Sequence, residues 1–188
     1  MPTKGSIKTL LKMTERAGIE NLLDWMVKNG FFESPCSSKY HLAQPGGLAE
    51  HSLNVYRNAI QIVDALYVKQ QKEITFNFIH SVTICALLHD LGKCGQFGKP
   101  NYKAIEDDSG VIGYETNKDL LYIPHEIRSI VIASKFIDLT EEEQFAILYH
   151  NSLYGELQGF KGKETPLLLI LHHADMWAAR ITESEDRK

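Results

Sequence analysis

Apolar residues recur along this chain at helical spacing, in stretches punctuated by glycine and proline. Ile7, Leu10, Leu11 and Thr14 or Ala17 repeat before Gly18, and Ile19, Leu22, Leu23, Met26 and Val27 repeat before Asn29-Gly30, which predicts two short amphipathic helices. Residues 31–46 are broken by Pro35, paired serines, Pro45 and the Gly46-Gly47 pair, so they read as irregular. A long helix is expected from Leu48 to Lys69, with Leu48, Ser52, Val55, Ala59, Ile62, Val63 and Leu66 facing inward and His51 at the margin of that stripe. A further helix, Thr75 to Leu91, contains the unbroken apolar run Val82 to Leu88 and ends in His89-Asp90-Leu91-Gly92-Lys93.

Residues 94–123 are the least helical. Tyr102 to Glu106 and Val111 to Glu115 flank Asp107-Asp108-Ser109-Gly110, the pattern of a small hairpin. An insertion of this length is read as a lid or binding loop, or else as a surface excursion without a role. Helical spacing resumes at Pro124-His125, and again after Thr140-Glu141-Glu142-Glu143, a capping box that explains the acidic run as helix initiation rather than catalysis. That helix reaches His150, and 151–162 read as a loop. Thr165-Pro166 then opens a last helix, which runs through Leu167 to Ile181 and is apolar on nearly every side until His172-His173-Ala174-Asp175. The fold expected is all-α, a compact bundle of about seven to nine helices with a small β-hairpin insertion. It forms a single domain, with helices of 1–30 packed on a core of 31–181 and a frayed charged tail over 182–188.

Composition narrows the function classes. Hydrophobic content of 44%, charged content of 23% and a net charge of -4 describe an ordinary globule with no electrostatic reason to grip a long polyanion. No apolar run is long enough for a membrane span and the start lacks a signal-peptide core, so a cytoplasmic location is expected. Cys36, Cys85 and Cys94 have no C-x-x-C spacing, which points to reduced thiols rather than a disulfide framework or a structural zinc site.

The candidate chemistry sits where polar residues interrupt buried helices. Burying the His89-Asp90 pair is costly unless something charged or hydrogen-bonding meets it. Gly92 falls where a left-handed cap would end the helix, so that Lys93 emerges beside the pair as a fixed cation. Asp175 lies between Ala174, Met176 and Trp177, where a carboxylate is rarely unpaired. With His51, His125 and His150, these residues supply imidazoles and carboxylates from five segments. Taken singly, each reads as well as a hydrogen-bonded core residue; as a set they suit Mn, Fe, Co or Zn, with Mg possible.

The set resembles the HD superfamily of metal-dependent phosphohydrolases, whose signature is a histidine, an adjacent His-Asp pair and a distant aspartate. Here these are His51, His89 with Asp90, and Asp175. Tyr40-His41 followed by Gly46-Gly47-Leu48-Ala49-Glu50-His51-Ser52-Leu53 is similar to the entry to the first motif in bacterial and phage HD proteins, and in the HD domain of a bacterial 3′ to 5′ exoribonuclease. Pro124-His125-Glu126 and Tyr149-His150-Asn151 stand where two-metal members carry two further histidine motifs.

The resemblance implies one metal on His51, His89, Asp90 and Asp175, with Asp90 bridging to a second on His125 and His150. Alternatively, His125 and His150 contact substrate around a single metal. Some members pair histidines at the later motif, whereas this chain has His150-Asn151, which leaves the second site weaker or open. It further implies hydrolysis of a phosphoester or phosphoanhydride in a small anionic, nucleotide-like substrate by metal-activated water. Asp90 and Lys93 would be catalytic, Lys93, Arg128 and His41 would bind substrate, and His172 would support Asp175 from three residues away. A di-iron oxygenase and a catalytically silent nucleotide-sensing module are the alternatives. Oligomeric state is open.

Overall fold

The computed structural model describes residues 2–71, 73–108, 110–151 and 162–184. Within them lie seven α-helices: α1 (Pro2–Met13), α2 (Ile19–Lys28), α3 (Gly47–Val63), α4 (Phe76–Leu88), α5 (His125–Ala133), α6 (Glu141–Tyr149) and α7 (Pro166–Trp177). One antiparallel hairpin pairs β1 (Tyr102–Asp107) with β2 (Gly110–Thr116), Tyr102 opposite Thr116, with a register irregularity at Ile105/Glu106. The result is the all-α bundle with a hairpin that the pattern predicts. The sequence-predicted loop at 151–162 lies, apart from its ends, outside the described residues.

α4 is the central rod because it has no polar face to show: Val82 through Leu88 are all buried. α3 and α7 pack on it, and α3 and α7 also pack on each other, so the three helices carrying or preceding the histidine and aspartate candidates share one core. Ile7, Leu11, Ile19, Leu22 and Met26 bury the apolar faces of α1 and α2 in that core, as their spacing requires.

Two helices continue in a wider turn than expected. α3 passes into a π-helical turn over Asp64–Val68, and α7 into another over Ala178–Thr182. The second reverses the expectation of a frayed 182–188 for its first residues. The wider turn re-phases the chain and returns Glu183 to the interior at 3% exposure, with Ser184 bonded back to the Ile181 carbonyl. Residues 185–188 lie outside the described residues.

The turn after α4 also differs from its predicted form. α4 stops at Leu88, His89 and Asp90 occupy a turn, and Leu91–Cys94 form a single 3-10 turn. Gly92 lies inside that turn, and its φ is not among the positive ones, so it is no left-handed cap. Its reason is proximity: a Cβ there would sit 2.4 Å from the His125 carbonyl oxygen and 2.9 Å from the Ser129 nitrogen. The Gly92 N–H donates to Ser129 Oγ at 2.8 Å, and the Ser129 hydroxyl donates to the His125 carbonyl at 2.8 Å. That relay clamps the His89-Asp90 turn onto the first turn of α5, and so sets His125 beside Asp90.

Candidate metal centre

Asp90 is the hub of the site. Its carboxylate is 1% exposed and each oxygen faces a different pair of imidazoles. Oδ2 lies 3.5 Å from His51 Nε2 and 3.4 Å from His89 Nε2, whereas Oδ1 lies 3.1 Å from His125 Nε2 and 3.7 Å from His150 Nε2. Asp175 closes the first group, its Oδ1 3.1 Å from His51 Nε2 and 3.9 Å from His89 Nε2. The six residues singled out as candidate ligands therefore meet in one place, from α3, the turn after α4, the start of α5, the end of α6 and the last turn of α7.

The imidazoles are oriented by what holds their outer nitrogens. His51 Nδ1–H donates to Glu183 at 3.0 Å, His89 Nδ1–H to the Ala86 carbonyl at 3.0 Å, and His150 Nδ1–H to the Ile147 carbonyl at 2.8 Å. Carboxylate and carbonyl oxygens carry no proton, so Nδ1 must donate, and Nε2 of each ring faces inward. His125 differs only in degree, with Nδ1 3.3 Å from Glu126 Oε2 and a quarter of its side chain exposed.

This arrangement concentrates acceptors on acceptors. His51 Nε2, His89 Nε2 and Asp90 Oδ1 are buried without a hydrogen-bond partner. Bare lone pairs and two carboxylates at such spacing repel one another unless a cation lies among them. Lys93 supplies one positive charge, its ammonium 2.6 Å from Asp90 Oδ2, and Asp175 faces His51 Nε2 at 3.1 Å. The donors fall into overlapping groups with spacing suited to metal ligation: His51 with His89 and Asp90, His89 with His150 and Asp175, and Asp90 with His125 and His150. Nitrogen and carboxylate donors of this kind fit divalent ions of the first transition row.

Asp90, Lys93 and His150 hold states that suit ligation; His51 differs, because burial lowers its ring but Cys36, Asp175 and Glu183 outweigh burial and raise it well above an ordinary imidazole, so an ion bound there would displace a proton. Burial pushes the Asp90 carboxyl up, but Lys93, His89 and His125 outweigh it and hold the group well below the usual carboxylate range. Lys93 is the converse: burial lowers it, and Asp90 raises it well above an ordinary lysine. Burial, helped by His89, lowers His150 to about 3, so its ring is neutral at any working pH, as a ligand must be.

A cleft of about 390 Å³ opens onto the group, with Lys93, His125, His150 and Asp175 on its floor and Tyr40, Met176 and Arg180 among its other lining residues. His41 also lines it, and burial lowers that ring to about 4, so it is a neutral contact. Two expected roles change place. Arg128 is 3% exposed and spends its guanidinium on the Asn101 side chain at 3.1 Å and the Leu121 carbonyl at 3.0 Å, pinning the 94–123 excursion to α5 rather than facing the cleft floor. His172 donates through Nδ1 to the His150 carbonyl at 2.6 Å, not to Asp175. It supports a different candidate ligand because the α6 end lies across α7 at that level.

Glu183 and Arg180 were not singled out from sequence, and Tyr40 entered only as part of the first motif's approach. Glu183 gave no signal: it lies in a charged terminal run, and only the π turn brings it to His51 and to the Asn54 amide, which donates at 3.1 Å.

The model of one protein family, described as HD domain, matches residues 48–186. The chain belongs to the HD domain family, which generally comprises metal-dependent phosphohydrolases and binds divalent metals. No curated protein and no solved structure matches it. No helix among the described residues is long and apolar enough to cross a membrane.

Proposed function

We propose that this chain is a phosphohydrolase that cleaves a phosphoester or phosphoanhydride bond of a small, nucleotide-like substrate at a two-ion centre. The observation that carries the reading is the division of Asp90, with Oδ2 toward His51 and His89 and Oδ1 toward His125 and His150. His51, His89, Asp90 and Asp175 would hold one divalent ion, and Asp90, His125 and His150 the other. Such ions supply Lewis acidity toward phosphoryl oxygens and make water nucleophilic near neutral pH.

The chain's own groups do the positioning. Lys93 holds Asp90 in place and presents fixed positive charge at the cleft floor, where it would offset the negative charge carried by the phosphoryl oxygens. Glu183 and the Ala86 and Ile147 carbonyls keep three imidazoles in the tautomer that faces inward. A cleft of about 390 Å³ and the negative net charge support a small, nucleotide-sized substrate.

Elemental analysis of purified protein, joined to a phosphate-release screen over dNTPs, NMPs, cyclic nucleotides and cyclic dinucleotides with Mn or Co, tests this reading. Bound transition metal and release from at least one class are expected. Oxygen consumption by iron-loaded protein with no phosphate released from any substrate would instead identify an oxygenase, and calorimetric binding without turnover a sensor.

A further inference from the structure

Beside the cleft stands a second set of donors, of which the proposed hydrolysis uses His51 as a metal ligand but not Cys36. Cys36 Sγ lies 3.3 Å from His41 Nε2, and one donor each from Cys36, His41 and His51 come within a single coordination radius of one another. Cys36 is fully buried, whereas His41 lines the cleft, so the imidazole stands between the thiol and solvent.

The segment that makes this contact is built, not incidental. The Cys36 N–H donates to the Leu42 carbonyl at 3.1 Å, the Ser37 hydroxyl donates to the His41 carbonyl at 3.0 Å, and the Tyr40 N–H donates to Ser37 Oγ at 2.9 Å. Leu42 is held at φ 47, a conformation that costs a branched residue energy, and yet it is buried. Gly47 makes room for it, since a Cβ at that position would lie 2.1 Å from the Leu42 carbonyl oxygen. The tight turn thus aims His41 back at Cys36 and at the ring of His51, whose Nε2 is buried and unpartnered.

We propose that Cys36, His41 and His51 form a separate thiophilic metal site that shares His51 with the catalytic group, so that a soft ion in excess inhibits the enzyme. Zinc–sulfur and zinc–nitrogen bonds at a tetrahedral angle set sulfur and nitrogen about 3.6 Å apart. The observed 3.3 Å needs only a small shift to admit such an ion. A thiol with two imidazoles selects zinc, cobalt or cadmium over magnesium and manganese, which prefer oxygen. As the sulfur–metal bond forms, the thiol proton passes to solvent. His51 can serve only one ion at a time, so occupancy here depletes the catalytic group.

The test uses cobalt(II) alone, titrated into the full chain. None of the six candidate ligands of the catalytic group is a cysteine, so a near-ultraviolet thiolate-to-cobalt charge-transfer band reports this site and not that one. The band is expected in wild type and is expected to fall about tenfold or more in Cys36→Ser. No band at saturating cobalt, or one undiminished in Cys36→Ser and so arising from Cys85 or Cys94, overturns the proposal. If Cys36→Ser does not fold, cadmium NMR of wild type decides: a resonance shifted by sulfur ligation supports the site, and nitrogen and oxygen ligation alone refutes it. Inhibition of phosphate release by excess zinc, relieved in Cys36→Ser, is the functional arm. That arm rests on the proposed hydrolysis whereas the band does not, so the two ideas fail separately; equal zinc inhibition of both proteins removes the regulatory role.

Discussion

Two of the buried carboxylates in this protein, Glu143 and Asp90, have opposite surroundings. Glu143 accepts from both Arg16 nitrogens at 3.0 and 2.7 Å, from the Ser81 hydroxyl at 2.7 Å and from the Thr140 N–H at 2.9 Å. Asp90, equally buried, has Lys93 on one oxygen and is otherwise ringed by imidazole nitrogens whose protons point away. Donors around a carboxylate complete a structure, whereas acceptors around a carboxylate make a receptor for a cation. The two clusters meet the same helix: Ser81 and His89 lie eight residues apart along α4 and the turn after it, about 12 Å at helical rise. One molecule thus carries a finished polar knot and an unfinished one.

Removing each carboxylate should separate these roles. Asp90→Ala is expected to abolish metal retention and turnover together, measured by elemental analysis and phosphate release, while the metal-free protein keeps its helical content by circular dichroism. Glu143→Ala should do the reverse, keeping metal while losing about 3 kcal/mol of stability in a urea melt, because it strands Arg16 and undoes the capping box of α6. Acid should expose the same contrast. Burial raises the Glu143 carboxyl, but Arg16, the Thr140 N–H and Ser81 outweigh it and hold it below 4.5. Its contribution is therefore complete above that value and is lost as pH falls through the depressed one, so wild type should lose stability on acidification more steeply than Glu143→Gln.

Smaller changes sharpen the comparison. Glu183→Gln removes the carboxylate that fixes the His51 tautomer, and metal affinity should drop about 10- to 100-fold with little change in the metal-free melt. Glu142→Ala, one residue from the knot but exposed, should leave both stability and metal content near wild type.

What could be read from the chain itself follows the same division. Helices were legible because their apolar spacing states which face is buried. His89, Asp90 and Asp175 stood out because polar residues in apolar helices demand partners, and His51, at the margin of its helix stripe, through the resemblance to the HD signature. Their spatial meeting with His125 and His150 is a property of packing that spacing alone does not reveal. Gly92 was misassigned because a glycine after a helix suggests a left-handed cap, whereas here its missing Cβ lets α5 approach. Arg128 looked like a substrate contact until the excursion over 94–123 folded back and took its guanidinium. Glu183 was invisible because local sequence does not announce a π turn, and without that turn a charged terminal residue reads as solvated.

The central claim is that the inward lone pairs around Asp90 exist to hold metal. Crystals of the full chain grown with Mn²⁺, measured at the manganese absorption edge, test it most directly. Anomalous density is predicted among His51, His89, Asp90 and Asp175, with a second peak against His125 and His150. An ordered, metal-soaked centre with no anomalous peak at Asp90, its imidazoles instead bonded to water or to one another, would contradict it.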